Sequence, residues 1–77
     1  MSATSDASIP VTVNGNPRTV PDGYPLLEVL RDLEIDPEDA TGVAVAINES
    51  VIRRQDWPDV TLSEEDTVEV IQAQQGG

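Results

Sequence analysis

The chain contains neither cysteine nor histidine, and this absence most constrains how its 77 residues can fold. Disulfides and the usual zinc ligands are excluded, so apolar packing has to hold the chain together. A domain of this size buries only about 60% of the surface that its unfolded chain exposes. The apolar residues are mostly Val, Leu, Ile and Ala. We therefore expect one small domain whose core holds a single sheet against a single helix and leaves no room for a buried catalytic cavity.

The charge of the chain argues against nucleic acid as a partner. Fifteen acidic residues stand against four arginines, lysine is absent, and the net charge is -11. Affinity for phosphate groups depends on Lys and Arg, so we predict no binding of nucleic acid. Two interpretations of the acidity remain open. The carboxylates either keep the surface solvated, as in a salt-adapted proteome, or steer the protein toward a basic face of a partner.

Other function classes are also disfavoured. Acid–base catalysis at neutral pH usually draws on His, Lys or Cys, and none is present, so we predict no catalytic residue and no enzyme activity. We predict no metal site. No apolar stretch approaches the roughly 20 residues that a membrane span needs. Residues 1–8 lack the basic and apolar regions of a signal peptide, so we expect a cytoplasmic location.

The first half of the chain predicts a hairpin that begins after a disordered tail of residues 1–8. Residues 9–13 alternate, with Ile9, Val11 and Val13 on one face, which indicates a half-buried strand. The Asn14-Gly15-Asn16 sequence that follows is a strong hairpin signal. A short returning strand is predicted over residues 18–20, at an edge of the sheet, because prolines bracket it.

One helix is predicted after this hairpin. Pro25 suits the first helical position, and the residue before Pro37 avoids helical backbone, so the helix should end by residues 35–37. The apolar stripe that we expect to face the sheet consists of Leu26, Leu27, Leu30 and Leu33.

The second half predicts three more strands. Residues 43–47 are apolar on both faces, as in a central strand. Residues 51–54 indicate a short strand, and residues 55–58 indicate a tight segment from which Trp57 packs over a sheet edge. Residues 67–72 form the final strand, and residues 73–77 a flexible tail. The order β-β-α-β-β-β predicts an α+β fold, residues 9–72, in which one mixed sheet packs on one helix.

The two terminal glycines, Gly76 and Gly77, are the sharpest functional feature. At average glycine usage such a pair ends roughly one chain in 200 by chance, so a frayed tail or a remnant of cloning would explain it equally well in isolation. Its position directly after the last strand of a small fold adds weight. A backbone without Cβ atoms can enter a narrow channel, and the extended tail can reach about 20 Å from the fold.

The chain resembles the ThiS family of thiamine-pathway sulfur carriers over residues 9–77. The resemblance rests on Val11-Thr12-Val13-Asn14-Gly15, residues 42–48, Val51-Ile52-Arg53-Arg54, Trp57, Leu62, residues 66–70 and Gly76-Gly77. It departs from the family pattern at Arg53, where proline is usual, at Glu65, where glycine is common, and at Gln74, where an apolar residue is common.

The resemblance implies a β-grasp, ubiquitin-like fold and a carrier function. An E1-like adenylyltransferase would use ATP to adenylate the Gly77 carboxylate, while the carrier itself binds no cofactor. A sulfur donor system with a cysteine desulfurase would convert the adenylate to a thiocarboxylate, and thiazole synthase would take the sulfur. Gly76 and Gly77 are then the working residues, Arg53, Arg54, Gln74 and Gln75 are candidate docking residues, and the free carrier is expected to be a monomer.

Three other functions remain open. The small subunit of molybdopterin synthase shares the fold and the tail, although residues 48–57 favour the thiamine branch. A ubiquitin-like modifier would instead conjugate Gly77 to lysines of target proteins. In a plain β-grasp binding module the glycines would be dispensable.

Overall fold

The computed structural model describes residues 7–39 and 41–72, and within these ranges it confirms the predicted order of strands and helix. The elements are β1 (Ser8–Val13), β2 (Asn16–Pro21), α1 (Leu26–Asp32), β3 (Val43–Ile47), β4 (Ser50–Ile52) and β5 (Thr67–Gln72), with 3-10 helices at Pro37–Asp39 and Arg54–Asp59. Among the described residues, no helix is long and apolar enough to cross a membrane.

The five strands form one mixed sheet in which the last strand lies in the middle. The order across the sheet is β2-β1-β5-β3-β4. β5 runs parallel to β1 and antiparallel to β3, whereas β1–β2 and β3–β4 are antiparallel hairpins. The segment from β2 to β3, which contains α1, crosses one face of this sheet. β5 is therefore paired along both sides, and it delivers the chain to the tail from the centre of the sheet.

The first hairpin turns where the sequence predicts. Asn14 and Gly15 both have positive φ, 51° and 82°, as in the two-residue turns that match the twist of paired strands. β2 lies at the edge, as predicted, but it extends over Asn16–Pro21 rather than residues 18–20. Both prolines fit in this strand because an edge strand leaves one row of N–H positions unpaired.

The start of β1 corrects the predicted boundary of the N-terminal tail. β1 begins at Ser8 rather than Ile9, and the carbonyl of Ala7 accepts a hydrogen bond from the Asp22 amide at 2.9 Å. This contact continues the β1–β2 hairpin beyond the last paired residues. Residues 1–6 lie outside the described ranges, so the predicted disorder there stays a prediction.

The helix is shorter than predicted and buries a different stripe. Pro25 precedes α1 as its cap rather than opening it, and the helix ends at Asp32, before the left-handed residue Glu34 (φ 65°). Val29, which the predicted stripe omitted, is fully buried beside Leu26 and Leu30. Leu27 is only partly buried because a helix turns about 100° per residue, which rotates it away from Leu26. Leu33 is also only partly buried.

The core lies between α1 and the inner face of the sheet. It comprises Ile9, Val11, Val13, Val20, Leu26, Val29, Leu30, Ile35, Val45, Ile47, Trp57, Leu62, Val68 and Val70. Trp57 lies beside edge strand β4, and its indole N–H donates to the Ile52 carbonyl at 3.1 Å. Trp57 is only 2% exposed, so it is part of this core, whereas the sequence predicted only that it packs over a sheet edge. The predicted strand 51–54 ends at Ile52, and Arg54 already belongs to the 3-10 helix.

A polar cluster on the surface ties α1 to the edge strand β2. Asp32 accepts hydrogen bonds from the Tyr24 hydroxyl at 2.6 Å and from the Arg18 guanidinium at 2.9 Å. The bond from Tyr24, followed by that from Arg18, lowers the pKa of Asp32 below its ordinary value. The same hydrogen bond raises the pKa of Tyr24. The cluster is well exposed, so its role is to orient the helix end rather than to contribute much stability.

Replacing Leu30 by alanine tests the helix packing. Leu30 has no exposed surface, so we expect Leu30→Ala to cost about 2–5 kcal/mol of unfolding free energy in urea titrations. Leu27→Ala is the matched control and should cost less, because Leu27 is only partly buried. A loss below about 1 kcal/mol for Leu30→Ala would contradict this packing, since a buried leucine cannot be truncated so cheaply.

Candidate functional site

The predicted site residues fall into two groups. Gly76, Gly77, Gln74 and Gln75 lie outside the described residues, so their roles stay predictions. Arg53 and Arg54 are described, and both are exposed. The structure also describes Gln72, the last residue of β5, which directly precedes residues 73–77 in the sequence.

The end of β5 is held by both of its neighbours. On one side Gln72 is the register partner of Val43, the first residue of β3. On the other side Val70 donates its amide hydrogen to the Asn14 side chain at 2.8 Å. β5 is therefore paired with β3 up to its last residue, Gln72. On the β1 side its last hydrogen bond is at Val70, two residues before the end of the strand.

The two predicted docking arginines lie at this same end of the sheet. β4 and β5 are both antiparallel to β3, so their carboxyl ends lie at the same end of the sheet. Arg53 and Arg54 follow β4 directly. Strands are spaced by about 4.8 Å, so with only β3 between them the two strand ends are roughly 10 Å apart. The structure thus brings the arginines beside the point where the tail begins.

Arg53 and Arg54 make longer polar contacts with the rest of the protein than the other two arginines do. Arg18 and Arg31 form ion pairs at 2.9 Å, with Asp32 and Glu28. Arg53 approaches Asp56 only to 3.9 Å. Arg54 donates to the carbonyl of Glu38 at 3.3 Å. In a strongly acidic chain, this end of the sheet therefore carries the positive charge that is most available to a partner.

The outer face of the sheet carries an apolar patch that the sequence interpretation missed. Ile71 of β5 lies opposite Ala44 of β3, and Val51 of β4 lies opposite Ala46 of β3. Val51 is 76% exposed and Ile71 is 60% exposed. We call Ala44, Ala46, Val51 and Ile71 the outer patch. It lies on the open face of β3, β4 and β5.

The outer patch bears on the interpretation of β3 as a central strand that is apolar on both faces: β5 holds the centre of the sheet, and the outer face of β3 is open. Val45 and Ile47 point into the core, whereas Ala44 is exposed and Ala46 is only partly covered. The physical reason is that the one helix covers one face of the sheet. The alternation in β5 was the signal that could have revealed the patch. Val68 and Val70 face inward, so Ile71 must face outward beside Glu69.

Acidic and polar residues border the outer patch toward the opposite end of the sheet. A shallow cavity of about 310 Å³ is lined by Asn48, Glu49, Thr67 and Glu69. The walls are fixed by hydrogen bonds: the Thr67 amide donates to the Asn48 side chain at 3.0 Å, and that side chain donates to Asp66 at 2.9 Å. The outer face thus passes from acidic to apolar toward the tail exit.

A second cavity lies on the helix side, away from the outer patch. Its volume is about 360 Å³, and it is lined by Leu27, Pro37, Glu38, Arg54, Trp57 and Pro58. Within residues 7–39 and 41–72, no three Asp or Glu side chains are grouped so that they could hold a metal ion. The described surface consequently offers an apolar contact face beside a tail exit, which is an arrangement suited to docking.

Comparison with known proteins identifies the family. The model of the ThiS family matches residues 11–77, which include the second half of β1, all of the later strands, α1 and both terminal glycines. The chain belongs to the ThiS family. The predicted resemblance is thereby confirmed.

Similar proteins support this assignment along nearly the full chain. The sulfur carrier protein ThiS of Thermus thermophilus is 39% identical over 67 residues, which cover 87% of this chain and 98% of that protein. The crystal structure of the thiamine biosynthesis protein ThiS from Geobacter metallireducens has a TM-score of 0.70 at 31% identity, covering 90% of this chain and 100% of that one. An NMR structure of a thiamine biosynthesis protein from the same organism also has a TM-score of 0.70.

These ThiS structures also confirm the predicted fold. The five-stranded mixed sheet with one helix on its inner face is the β-grasp, ubiquitin-like fold. As a ThiS-family protein, the chain presents two features on this fold, the outer patch and the tail exit at the end of β5.

Proposed function

We propose that this ThiS-family protein is a sulfur carrier for thiamine biosynthesis and acts as a protein cosubstrate rather than an enzyme. The observation that carries the proposal is the family match, which runs from β1 through Gly76 and Gly77. The relative from Thermus thermophilus, named as a sulfur carrier, supports it. The cytoplasmic location expected from the sequence stays a prediction.

The chemistry assigns the acyl group to the carrier and the catalysis to its partners. A carboxylate is a poor electrophile, so an E1-like enzyme would transfer AMP from ATP to the Gly77 carboxylate, with pyrophosphate as the leaving group. A persulfide from a cysteine desulfurase system would then displace AMP to form an acyl disulfide, and a thiol reductant would cleave its S–S bond to leave a thiocarboxylate. Thiazole synthase would accept the sulfur. The carrier has no cysteine that could hold sulfur instead.

The surface around the tail exit supports docking to the activating enzyme. Val51 and Ile71 expose apolar surface on the same face of the sheet, and Ile71 lies one residue before the end of the strand that leads to Gly77. Burying such a side chain contributes about 1.5–3 kcal/mol. Arg53 would add a polar contact at the rim, whereas Arg54 lies toward the helix side of the same end of the sheet. Gln74 and Gln75 would line the entrance of the channel. Docking through this surface would direct the tail into the enzyme.

Removing Gly77 tests the proposed role of the terminal carboxylate. We expect the chain without Gly77, and a chain with one residue appended after it, to lose ATP–pyrophosphate exchange with the E1-like enzyme. Ala73→Ser, which keeps both glycines and both glutamines, is the control and should stay active. The unfolding free energy should be the same in all variants, since the change lies beyond β5. Full exchange activity without Gly77 would rule out the sulfur-carrier function.

A second prediction concerns the outer patch. We expect Ile71→Asp and Val51→Asp each to raise the KM for the carrier at least about tenfold in the same assay, because a charge would replace a docking contact. Both side chains are mostly exposed, so stability should change little.

The matched control is Thr19→Asp on β2. Thr19 is exposed, and it pairs with Pro10 out of phase with the buried pair Ile9–Val20, so it lies on the same outer face but at the far edge of the sheet. The Thr19→Asp substitution introduces the same charge as the other two variants and should leave KM unchanged. An equal rise in KM for Thr19→Asp would show that net charge, rather than the outer patch, governs docking.

A further inference from the structure

The side chain of Asn14 makes a contact that the hairpin turn does not require. Asn14 lies at the β1–β2 turn, where its φ of 51° is one that asparagine tolerates. Its side-chain oxygen accepts the Val70 amide at 2.8 Å, across 56 positions of sequence. The backbone amide of Asn14 donates to the Val68 carbonyl at 2.8 Å. One residue of the turn is thus bonded twice to the last strand.

These bonds continue the parallel β1–β5 ladder past the end of β1. The Thr12 amide donates to the Asp66 carbonyl at 2.9 Å, and the Asn14 amide then donates to the Val68 carbonyl. After Val13 the chain turns away into β2, so no further strand carbonyl of β1 faces Val70. The Asn14 side chain supplies the missing acceptor. Without this acceptor, the backbone amide of Val70 would lose its hydrogen-bond partner, although Val70 is only 8% exposed.

This contact is the last one described on the β1 side before the tail begins. Beyond Val70, β5 contains only Ile71 and Gln72, whose register partners are on β3 alone. Ile71 belongs to the outer patch, and Gln72 leads to the tail. The position of both therefore depends on how firmly Val70 is held.

We propose that Asn14 is a positioning residue for the terminal glycines. Its side chain holds the end of β5 in one position relative to the sheet, so that the outer patch and the residues after β5 approach the activating enzyme in one arrangement. This inference rests on the proposed function. Without the bond, the end of β5 would open part of the time, and only the closed fraction could dock. The apparent affinity of the enzyme for the carrier is then multiplied by the closed fraction, whereas the structure of the docked complex is unchanged. The expected signature is a higher KM at an unchanged kcat.

Asn48 provides a matched control within the same chain. It lies in the β3–β4 turn with a φ of 52°, and its side-chain oxygen accepts the Thr67 amide at 3.0 Å. It therefore performs the same bonding for the first residue of β5 as Asn14 does near the last. Glycine tolerates positive φ without strain, so Asn→Gly at either position removes the acceptor and keeps the turn.

The experiment compares Asn14→Gly, Asn48→Gly and Asn14→Asp in the complete chain. Asn14→Asp retains an acceptor and is the rescue variant. Hydrogen exchange of the Val70 and Ile71 amides is measured by NMR on the free proteins, and ATP–pyrophosphate exchange is measured with the E1-like enzyme at varied carrier concentration. Urea titrations report global stability, so that local and global opening are distinguished.

For Asn14→Gly we expect Val70 to exchange about five- to tenfold faster relative to global opening, as for the loss of one hydrogen bond. KM should rise by the inverse of the closed fraction, which is about twofold when half of the molecules are open at the end of β5, while kcat stays unchanged. Asn14→Asp should restore both values. Asn48→Gly should leave KM unchanged even if it lowers global stability as much. Should Asn14→Gly not fold, Asn14→Ser serves in its place, since its hydroxyl lies one bond nearer the backbone and reaches less far toward Val70.

Three results would overturn the inference. The first is unchanged exchange of Val70 in Asn14→Gly, and the second is an equal rise in KM for Asn48→Gly. The third is a loss in Asn14→Asp as large as in Asn14→Gly. Inactivity of the unmodified chain with the enzyme would instead overturn the proposed function, and the positioning role with it. An active unmodified chain with an unchanged KM in Asn14→Gly would overturn the positioning role alone.

Discussion

The pairing of β5 between β1 and β3 is the interaction on which the rest of the structure depends. It joins two hairpins that would otherwise be separate, and it places Val68 and Val70 under the helix. Since the chain has no cysteine to form a disulfide, this insertion and the buried face of α1 hold the small core together. It also brings the end of the chain to the middle of the sheet, so the same bonds that complete the fold set the starting point of the tail.

The single helix accounts for the second functional feature. One helix covers one face of a five-stranded sheet, and the other face stays open to solvent. There the alternation of the strands exposes Ile71 and Val51 beside alanines, close to the tail exit. The tail exit and the contact face therefore follow from one architecture, and the partner enzymes would supply all of the catalysis.

Local patterns in the sequence predicted the element order, the Asn14-Gly15 turn, the bounds of β5 and β3, and the edge position of β2. They failed where tertiary packing decides. Val29 was omitted because the leucines alone form a stripe at helical spacing, and β3 was interpreted as the central strand because alanine makes its second face apolar. The bond from Val70 to Asn14 spans 56 positions, and no local pattern could indicate it. The terminal glycines are evident in the sequence, but they lie outside the described residues, so their role stays a prediction.

The central claim is that the carboxylate of Gly77 carries sulfur, and intact mass spectrometry of the protein purified from its own host tests it most directly. The account predicts a fraction of the protein that is heavier by the difference between one sulfur and one oxygen atom, with the added mass confined to the C-terminal fragment. It also predicts that alkylation marks this fraction, although the chain has no cysteine. A terminus found only as a free carboxylate, or joined by an isopeptide bond to lysines of other proteins, would contradict it.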